Sequence, residues 1–276
     1  MAERFIGRYQ VLEEIGRGKA SVVFRGQDLE KVRKIAIKTL PPKKGLTEKA
    51  SFKFLREGLR AARLDHPNIV KIYDVGVDKN IYYIVMEFIE GKTLRKFLKE
   101  KGKQEIIKIP ELVKIFLSMA RAVDYAHDRS ILHGNIRPEN IMLDKSNNIK
   151  IMEFGLDSPE MIQELTGHYR ATGSVAYLSP EQLEDGFSDQ LSDIYSMGVV
   201  FFELLTGQPV YHSIGPGGRG QNFTMTPDPR RANPMIPVDI AHMVSKCIEK
   251  EPLERIQHSR EIINILENWM GENKVS

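Results

Sequence analysis

The feature that most constrains this chain is a polar stretch enclosed by apolar segments, ILHGNIRPENIML, at residues 131–143. Residues 110–127 predict a helix that leads directly into it, because apolar side chains recur on one face and a proline suits the first turn. Residues 141–143 and 149–152 predict a β-hairpin around the turn at 145–148. Regular structure is therefore expected on both sides of the polar stretch.

The chain of 276 residues is long enough for one large domain or two lobes with a sizeable core. Its apolar content of 41% and charged content of 28% are ordinary for a globular protein. No apolar run approaches the ~20 residues that span a membrane, and residues 1–10 lack the apolar core of a signal peptide. The single cysteine, Cys247, excludes an internal disulfide framework and is expected to be a buried helix residue. We therefore expect a cytoplasmic chain without membrane contact.

The charge distribution gives no indication of a nucleic-acid partner. The 40 basic and 37 acidic residues leave a net charge of +3, which is too balanced for nucleic-acid binding across the surface. The basic run at residues 92–103 predicts a solvated helix face, with an acidic docking site as the alternative. We expect protein partners and no nucleic acid.

Residues 9–15 and 22–26 predict two strands joined by a glycine-rich turn, residues 16–21. Backbone N–H groups of such a turn can face the oxygens of a triphosphate, although an ordinary hairpin is the alternative. The strand–turn–strand order argues against Rossmann and Walker sites, because both of those open into a helix. The next apolar strand, residues 35–38, ends in Lys38, for which an edge lysine pointing to solvent is the alternative.

Residues after Thr47 predict a helix, since Thr47 is a suitable N-cap and Leu55, Leu59 and Ala62 recur at helical spacing. Gly58 is expected to weaken this helix by about 1 kcal/mol relative to alanine.

Residues 70–75 and 81–88 predict two more strands. Residues 189–205 are apolar around most of the helix circumference, which predicts a buried helix that Gly207 ends. The many glycine and proline residues between 210 and 240 disfavour a regular helix and predict a surface loop, with a partner contact as the alternative. A last helix is predicted at residues 258–270.

These motifs, in this order, resemble those of the bacterial eukaryotic-like Ser/Thr protein kinases over residues 9–270. Residues 133–140 resemble the catalytic loop His-Arg-Asp-x-Lys-x-x-x-Asn, and IAIK at 35–38 resembles VAIK. Glu-Phe-Gly at 153–155 stands where kinases have Asp-Phe-Gly, and GSVAYLSPE at 173–181 resembles GTPxYxSPE. The resemblance implies an α+β, bilobal protein kinase fold, with an antiparallel β-sheet N-lobe at 9–88 and a mainly α-helical C-lobe at 89–270.

The resemblance also implies an ATP site between the lobes. Lys38 would hold the phosphates and pair with Glu57 of the first helix. Met86 would be the gatekeeper behind the adenine, followed by the hinge backbone of Glu87 and Phe88. The residues expected to contact the nucleotide are Gly16, Gly18, Ser21, Val23, Ala36, Lys38, Glu57, Met86, Glu87, Phe88 and Met142.

Further residues are assigned by the same resemblance. Asn140 and Glu153 would ligate Mg²⁺. Asp193 would anchor the backbone of the catalytic loop, and Glu181 would form an ion pair with Arg255.

The departures from the family pattern lie where phosphate is transferred. Asn135 replaces the catalytic Asp, and an amide cannot accept a proton near neutral pH, whereas general-base catalysis contributes ~10²–10⁴-fold. Arg137 replaces the catalytic-loop Lys and keeps its charge with a different geometry. Glu153 is one methylene longer than Asp, which is expected to weaken the Mg²⁺ site.

We therefore expect a pseudokinase that binds ATP and acts as a regulatory or scaffolding module for a protein partner. The alternatives are a weakly active Ser/Thr kinase, and a purely structural domain that binds no nucleotide. Gly134 removes the arginine that clamps an activation-segment phosphate, so phosphorylation of Thr172 or Ser174 is not expected to act as a switch.

Overall fold

The computed structural model describes residues 4–18, 21–40, 47–101, 108–156, 175–210 and 226–274. Within these ranges the predicted α+β, bilobal fold is confirmed: an antiparallel sheet forms the N-lobe, and helices dominate the C-lobe. The N-lobe strands are β1 (Arg4–Ile6), β2 (Tyr9–Arg17), β3 (Val22–Asp28), β4 (Arg33–Leu40), β5 (Ile72–Asp78) and β6 (Ile81–Glu87).

Strand β4 is the centre of the N-lobe sheet, whose order is β1-β2-β3-β4-β6-β5. It pairs with β3 on one side and β6 on the other, and every residue from Ile35 to Leu40 is buried. A strand buried on both faces is expected to be apolar throughout. Lys38 is the one charged residue in that buried run, which marks it as a residue with a specific partner.

Helix α1 (Glu48–Ala61) begins as predicted, because the Thr47 hydroxyl accepts a hydrogen bond from the Ala50 N–H at 3.1 Å. Leu59, one of the residues whose spacing predicted the helix, is 58% exposed. The helix packs on the sheet through a face that includes Gly58, where an added Cβ would lie 2.7 Å from Ile84 Cδ1. Gly58 therefore permits close packing at this point, and Leu59 is turned to solvent.

The C-lobe begins with a three-stranded sheet of β7 (Gly91–Thr93), β8 (Ile141–Asp144) and β9 (Ile149–Ile151), and is built around helix α5 (Gln190–Thr206). Nearly every residue of α5 is buried, and the Phe116 and Phe201 rings stack with centroids 4.0 Å apart, which joins α5 to α3. The elements are β7 (Gly91–Thr93), α2 (Leu94–Lys101), α3 (Ile109–His127), β8 (Ile141–Asp144), β9 (Ile149–Ile151), α4 (Pro180–Glu184), α5 (Gln190–Thr206), α6 (Val238–Cys247) and α7 (Ser259–Glu272).

Several predicted boundaries in the C-lobe are confirmed. Helix α5 ends at Gly207, which has the left-handed φ of 67° that favours glycine. Cys247 lies in α6 and is fully buried. Of the predicted loop at 210–240, residues 226–237 hold only a short 3₁₀ turn and 211–225 lie outside the described ranges. No helix within the described part of the chain is long and apolar enough to cross a membrane.

Candidate functional site

Five of the predicted nucleotide-contacting residues share one face of the N-lobe sheet. Gly16 lies opposite Val23, Val23 lies opposite Lys38, and Ala36 lies opposite Met86. Residues directly opposite in an antiparallel pair point to the same side, as do residues two apart along a strand, such as Ala36 and Lys38. The sheet therefore presents an apolar surface with one ammonium group set into it.

The glycine turn is closed by a hydrogen bond from the Gly18 N–H to the Ser21 carbonyl at 2.8 Å. Residues 19–20 at its tip lie outside the described ranges. Met142, the predicted apolar contact from the C-lobe, lies half-buried on β8, opposite Lys150 of β9.

The predicted hinge holds the two lobes together through Glu87. Its backbone N–H donates to the Lys71 carbonyl at 2.8 Å, and its carboxylate binds Lys150 Nζ of β9 at 2.8 Å. Phe88 is partly buried and packs on the main hydrophobic core. The Glu87 N–H is thus already used within the protein.

Lys38 forms an ion pair with Glu153, and the predicted pair between Lys38 and Glu57 was wrong. The Glu57 carboxylate instead lies 3.2 Å from the Arg56 guanidinium and 3.3 Å from that of Arg60. Arg60 also donates to the Ser130 carbonyl at 2.9 Å, which holds Glu57 on the C-lobe side of α1.

The catalytic-loop backbone is anchored by Asp193, as predicted. The Asp193 carboxylate accepts the N–H groups of His133 and Gly134, each at 2.8 Å, and lies 2.9 Å from His127 Nε2. Burial alone would raise the pKa of Asp193, but the hydrogen bond and charge of His127 and the loop N–H groups hold it below its ordinary value. The buried carboxylate is therefore ionised and fully engaged.

Position 134 favours glycine, because its φ of +75° would strain any residue that has a Cβ. Gln182 of α4 donates to the Gly134 carbonyl at 2.8 Å, which fixes the loop from a second side. Glu181, the neighbouring residue, forms the predicted bidentate pair with Arg255, with both N–O distances at 2.8 Å.

His133 is held as a neutral ring. Its Nδ1 accepts the Asn135 N–H at 3.1 Å, and its Nε2 lies 3.0 Å from the Met152 carbonyl and must donate to it. The ring packs against Phe154 with centroids 4.8 Å apart. With Nδ1 accepting and Nε2 donating, His133 has no lone pair with which to act as a general base.

Asn135 and Asn140 are joined by a hydrogen bond from Asn140 Nδ2 to the Asn135 carbonyl at 3.0 Å. The Met152 N–H donates to the Asn140 carbonyl at 3.0 Å, which places the loop beside Glu153. Because the Asn140 amide nitrogen is turned to the loop, its amide oxygen is the end available to a cation. Asn140 and Glu153 thus offer the hard oxygen donors that suit Mg²⁺.

The residues present fit a nucleotide better than they fit a metal. Val23, Ala36 and Met142 supply apolar surface and Lys38 supplies a cation for phosphate oxygens. Within the described residues no three His, Cys, Asp or Glu side chains gather as a metal site. A cation here would therefore depend on Asn140, Glu153 and the phosphates of the nucleotide itself.

Arg137 lies on the same loop and donates from Nε to Glu139 at 2.8 Å. Glu139 also accepts from Arg95 of α2 at 2.9 Å, and Arg95 reaches Glu203 of α5 at 2.6 Å. The kinase-like motifs gave no indication of His127 or Gln182. Arg95 belongs to the basic run at 92–103, for which a solvated helix face was predicted, but its side chain is only 22% exposed. A buried charge such as Glu203, within the apolar run of α5, was the available signal, because such charges require a partner.

Thr172 and Ser174, at which no phosphorylation switch is expected, lie outside the described residues.

Comparison with known proteins agrees with this geometry. Residues 9–267 match the protein kinase domain family. A probable serine/threonine-protein kinase of Clostridium acetobutylicum is 39% identical over 263 residues, covering 95% of this chain and 40% of the relative. The serine/threonine-protein kinase PrkC of Bacillus subtilis is 35% identical over 264 residues, with the same coverage of 95% and 40%. The chain thus spans about 40% of the length of these relatives.

A solved structure, the PknI kinase domain of Mycobacterium tuberculosis, superposes with a TM-score of 0.77 at 22% identity. The superposition covers 97% of this chain and 99% of that one, which shows that the two share a fold. The chain therefore belongs to the protein kinase family, in its bacterial eukaryotic-like serine/threonine class.

Proposed function

We propose that this Ser/Thr protein kinase-like domain binds ATP and has lost effective phosphoryl transfer, so that it acts as a regulatory or scaffolding module for a protein partner. The observation that carries the proposal is the environment of Asn135. The Asn135 backbone is hydrogen-bonded to His133 and Asn140. Its side-chain amide stands at the motif position where kinases have the catalytic carboxylate. His133 cannot replace that carboxylate, because both of its ring nitrogens are engaged.

The position of Glu57 supports the same proposal. A kinase needs its strand lysine and helix glutamate paired when phosphate is transferred. Here Glu57 is paired with Arg56 and Arg60, while Lys38 is paired with Glu153. Phosphoryl transfer would require both ion pairs to be exchanged, and the general base would still be missing.

ATP binding is supported by the nucleotide-contacting residues that match the kinase pattern. Lys38 is buried on the same sheet face as Val23 and Ala36, and it can exchange the Glu153 carboxylate for phosphate oxygens. The nucleotide supplies anionic oxygens to that lysine, while Asn140 and Glu153 are the residues that would hold Mg²⁺. ATP binding would then favour one arrangement of the two lobes, and the partner protein would bind according to that arrangement.

A weakly active Ser/Thr kinase is the second candidate, and the relatives favour it, since one is named a serine/threonine-protein kinase and the other a probable one. In that case Asn135 would orient the acceptor hydroxyl, and Glu153 would hold the metal. The two candidates differ in whether phosphate is incorporated in a manner that depends on Lys38.

The deciding experiment measures transfer from γ-labelled ATP to the chain itself and to a generic basic protein, with Mg²⁺ and with Mn²⁺. Wild type and Lys38→Met are compared side by side. We expect no label above the level of Lys38→Met. Label that disappears in Lys38→Met would overturn the pseudokinase proposal and establish the kinase.

Nucleotide binding is measured separately by the thermal midpoint with ATP, with and without Mg²⁺. We expect ATP to raise the midpoint of wild type and to have a smaller effect on Lys38→Met. An unchanged midpoint for wild type would remove ATP from the proposal and leave a purely structural domain.

A further inference from the structure

The linker between the lobes, residues 88–90, ends in a carboxylate that binds one lysine from each lobe. Glu90 lies between the end of β6 at Glu87 and the start of β7 at Gly91. Its Oε1 accepts a hydrogen bond from Lys34 Nζ, and its Oε2 accepts one from Lys145 Nζ. Lys34 belongs to β4 of the N-lobe, whereas Lys145 follows β8 of the C-lobe. One side chain of the linker is therefore in ionic contact with both lobes.

On the N-lobe side, the strand register brings Lys34 to the linker. Ile35 of β4 pairs with Glu87 of β6 in the antiparallel ladder. The same register, continued by one residue, sets Lys34 opposite Phe88. Phe88 is only two residues from Glu90 along the chain, a distance that a lysine side chain can span. The position of Lys34 beside the linker is thus set by the sheet.

On the C-lobe side, the register of β7 and β8 brings Lys145 to the same carboxylate. Gly91 pairs with Asp144, and the register continued by one residue sets Glu90 opposite Lys145. Gly91 fixes this register, because an added Cβ would lie 1.9 Å from the carbonyl oxygen of Leu143. The backbone, and not only the flexible side chains, therefore determines the contact.

The contact is ionic and sensitive to salt. The hydrogen bonds and charges of Lys145 and Lys34 lower the pKa of Glu90 to about 2, so its carboxylate is ionised. The Glu90 side chain is 37% exposed, and those of Lys34 and Lys145 are 61% and 76% exposed. Ion pairs as exposed as these contribute little to stability and are weakened by added salt. Such a contact can restrict the angle between two lobes without holding either lobe folded.

Two less exposed ion pairs also join the N-lobe and the linker to the C-lobe. They are Lys38–Glu153, which is buried, and Glu87–Lys150, which is half-buried. Salt screens buried and half-buried pairs less than exposed ones. Loss of the Glu90 contacts is therefore expected to loosen the arrangement of the lobes and not to separate them.

We propose that Lys34, Glu90 and Lys145 form an ionic clamp that restricts the angle between the lobes and releases it as the ionic strength rises. The clamp is a conformational device of the linker. This inference goes beyond the proposed function, because it requires neither a nucleotide nor a protein partner. The range of lobe angles in the free chain is then set by Glu90.

The test measures the distance between two spin labels, one on each lobe, by pulsed electron paramagnetic resonance. The labels are attached to cysteines introduced at Lys31, in the β3–β4 turn, and at Glu272, at the end of α7, both of which are exposed. The single native cysteine, Cys247, is fully buried and does not compete for the label. Distances are recorded without nucleotide at about 0.1 M and about 1 M NaCl, between which the Debye length falls from about 10 Å to about 3 Å.

We expect wild type to give a narrow distance distribution at low salt and a broader one at high salt. Glu90→Gln should be broad at both salt concentrations. The fraction of distances outside the low-salt range of wild type should rise about two- to fivefold, the size expected for weak surface ion pairs. A narrow distribution for Glu90→Gln at low salt, or an equal salt response in both proteins, would overturn the proposal.

Glu100→Gln is the matched control. Glu100 is likewise an exposed carboxylate between two lysines, Lys92 and Lys96, but all three residues lie in the C-lobe. Its pKa is also lowered, chiefly by the hydrogen bond from Lys92. This variant should give the distribution of wild type at both salt concentrations, and broadening as large as that of Glu90→Gln would contradict a specific role for the linker.

A charge-reversed variant tests whether the ion pairs themselves restrict the lobes. Glu90→Lys, combined with Lys34→Glu and Lys145→Glu, keeps both pairs with opposite signs. We expect it to recover the narrow low-salt distribution and its broadening at high salt, whereas Glu90→Lys alone should be broad at both. A reversed variant that is as broad as Glu90→Lys alone would overturn the proposal. Since no ATP is present, absence of ATP binding would contradict only the proposed function.

Discussion

Lys38 and Glu153 form a buried ion pair between the two lobes, with side chains 4% and 9% exposed. Lys38 is on the central strand of the N-lobe sheet, and Glu153 follows β9 in the C-lobe at a left-handed φ of 74°. The cation that resemblance assigns to phosphate and the carboxylate that it assigns to metal therefore neutralise each other. In the proposed function, nucleotide binding would exchange this pair, which would link the occupancy of the site to the contact between the lobes.

Glu153→Gln is expected to lower the free energy of unfolding by about 3 kcal/mol, because removing one partner of a buried pair leaves the other charge poorly compensated. Urea denaturation of the chain without nucleotide measures this change. Glu153→Asp keeps the charge and shortens the side chain by one methylene, so it should lose less stability than Glu153→Gln. Equal stability of wild type and Glu153→Gln would show that the pair does not stabilise the fold.

Gly134→Ala is expected to lower the free energy of unfolding by about 1–2 kcal/mol, since an L-residue is strained at a φ of +75°. Gly271→Ala is the matched control, because it lies in α7 with open space around its Cβ and no positive φ. The control should be neutral or stabilised by up to about 1 kcal/mol. Thermal or urea unfolding of the two variants compares them directly, and equal effects would exclude backbone strain at Gly134.

The elements of this fold could be predicted from sequence because local signals agreed with the tertiary structure. The Thr47 cap, the Gly207 terminus and the all-round apolar pattern of α5 each predicted what the structure contains. The face of α1 could not be predicted in the same way. Periodicity included Leu59, but Gly58 packs directly against Ile84, and only the position of the sheet determines that contact.

In the candidate site, too, some contacts could be predicted from the sequence and others could not. Motifs placed Lys38 and Glu153 in one site, but the partner of Lys38 depends on where Arg60 holds Glu57. Arg95 lies outside the kinase-like motifs, and the basic run at 92–103 that contains it did not indicate its partners, which are spread over α5 and two separate loops. Such long-range charge pairs leave little trace in a single sequence beyond the presence of a charge in an apolar run.

The stability that Glu139 contributes should disappear in acid. Its pKa lies near 2 in the folded chain, below its ordinary value of 4.5, because hydrogen bonds and charge from Arg137 and Arg95 outweigh the effect of burial. A lowered pKa stabilises the fold above pH 4.5, and that contribution is lost as the pH falls toward 2. Glu139→Gln removes the titration, so wild type should be the more stable at pH 7, and the difference should narrow by pH 3. Urea unfolding at the two pH values measures it, and a constant difference would contradict the assignment.

Asn135→Asp, combined with Glu153→Asp, should restore phosphoryl transfer if the lost carboxylates are what limits this domain. The new aspartate would stand on a loop whose backbone is already fixed by Asp193, His133 and Asn140, so little rearrangement is required at that position. General-base catalysis contributes ~10²–10⁴-fold, and we expect a gain in that range over wild type in transfer of label from ATP. Lys38→Met in the restored background should abolish the gain, and Asn135→Ala with Glu153→Asp should not produce it. If the restored double variant stays at background while still binding ATP, the transfer of Lys38 from the carboxylate at position 153 to Glu57, and not the missing base, is the step that prevents catalysis.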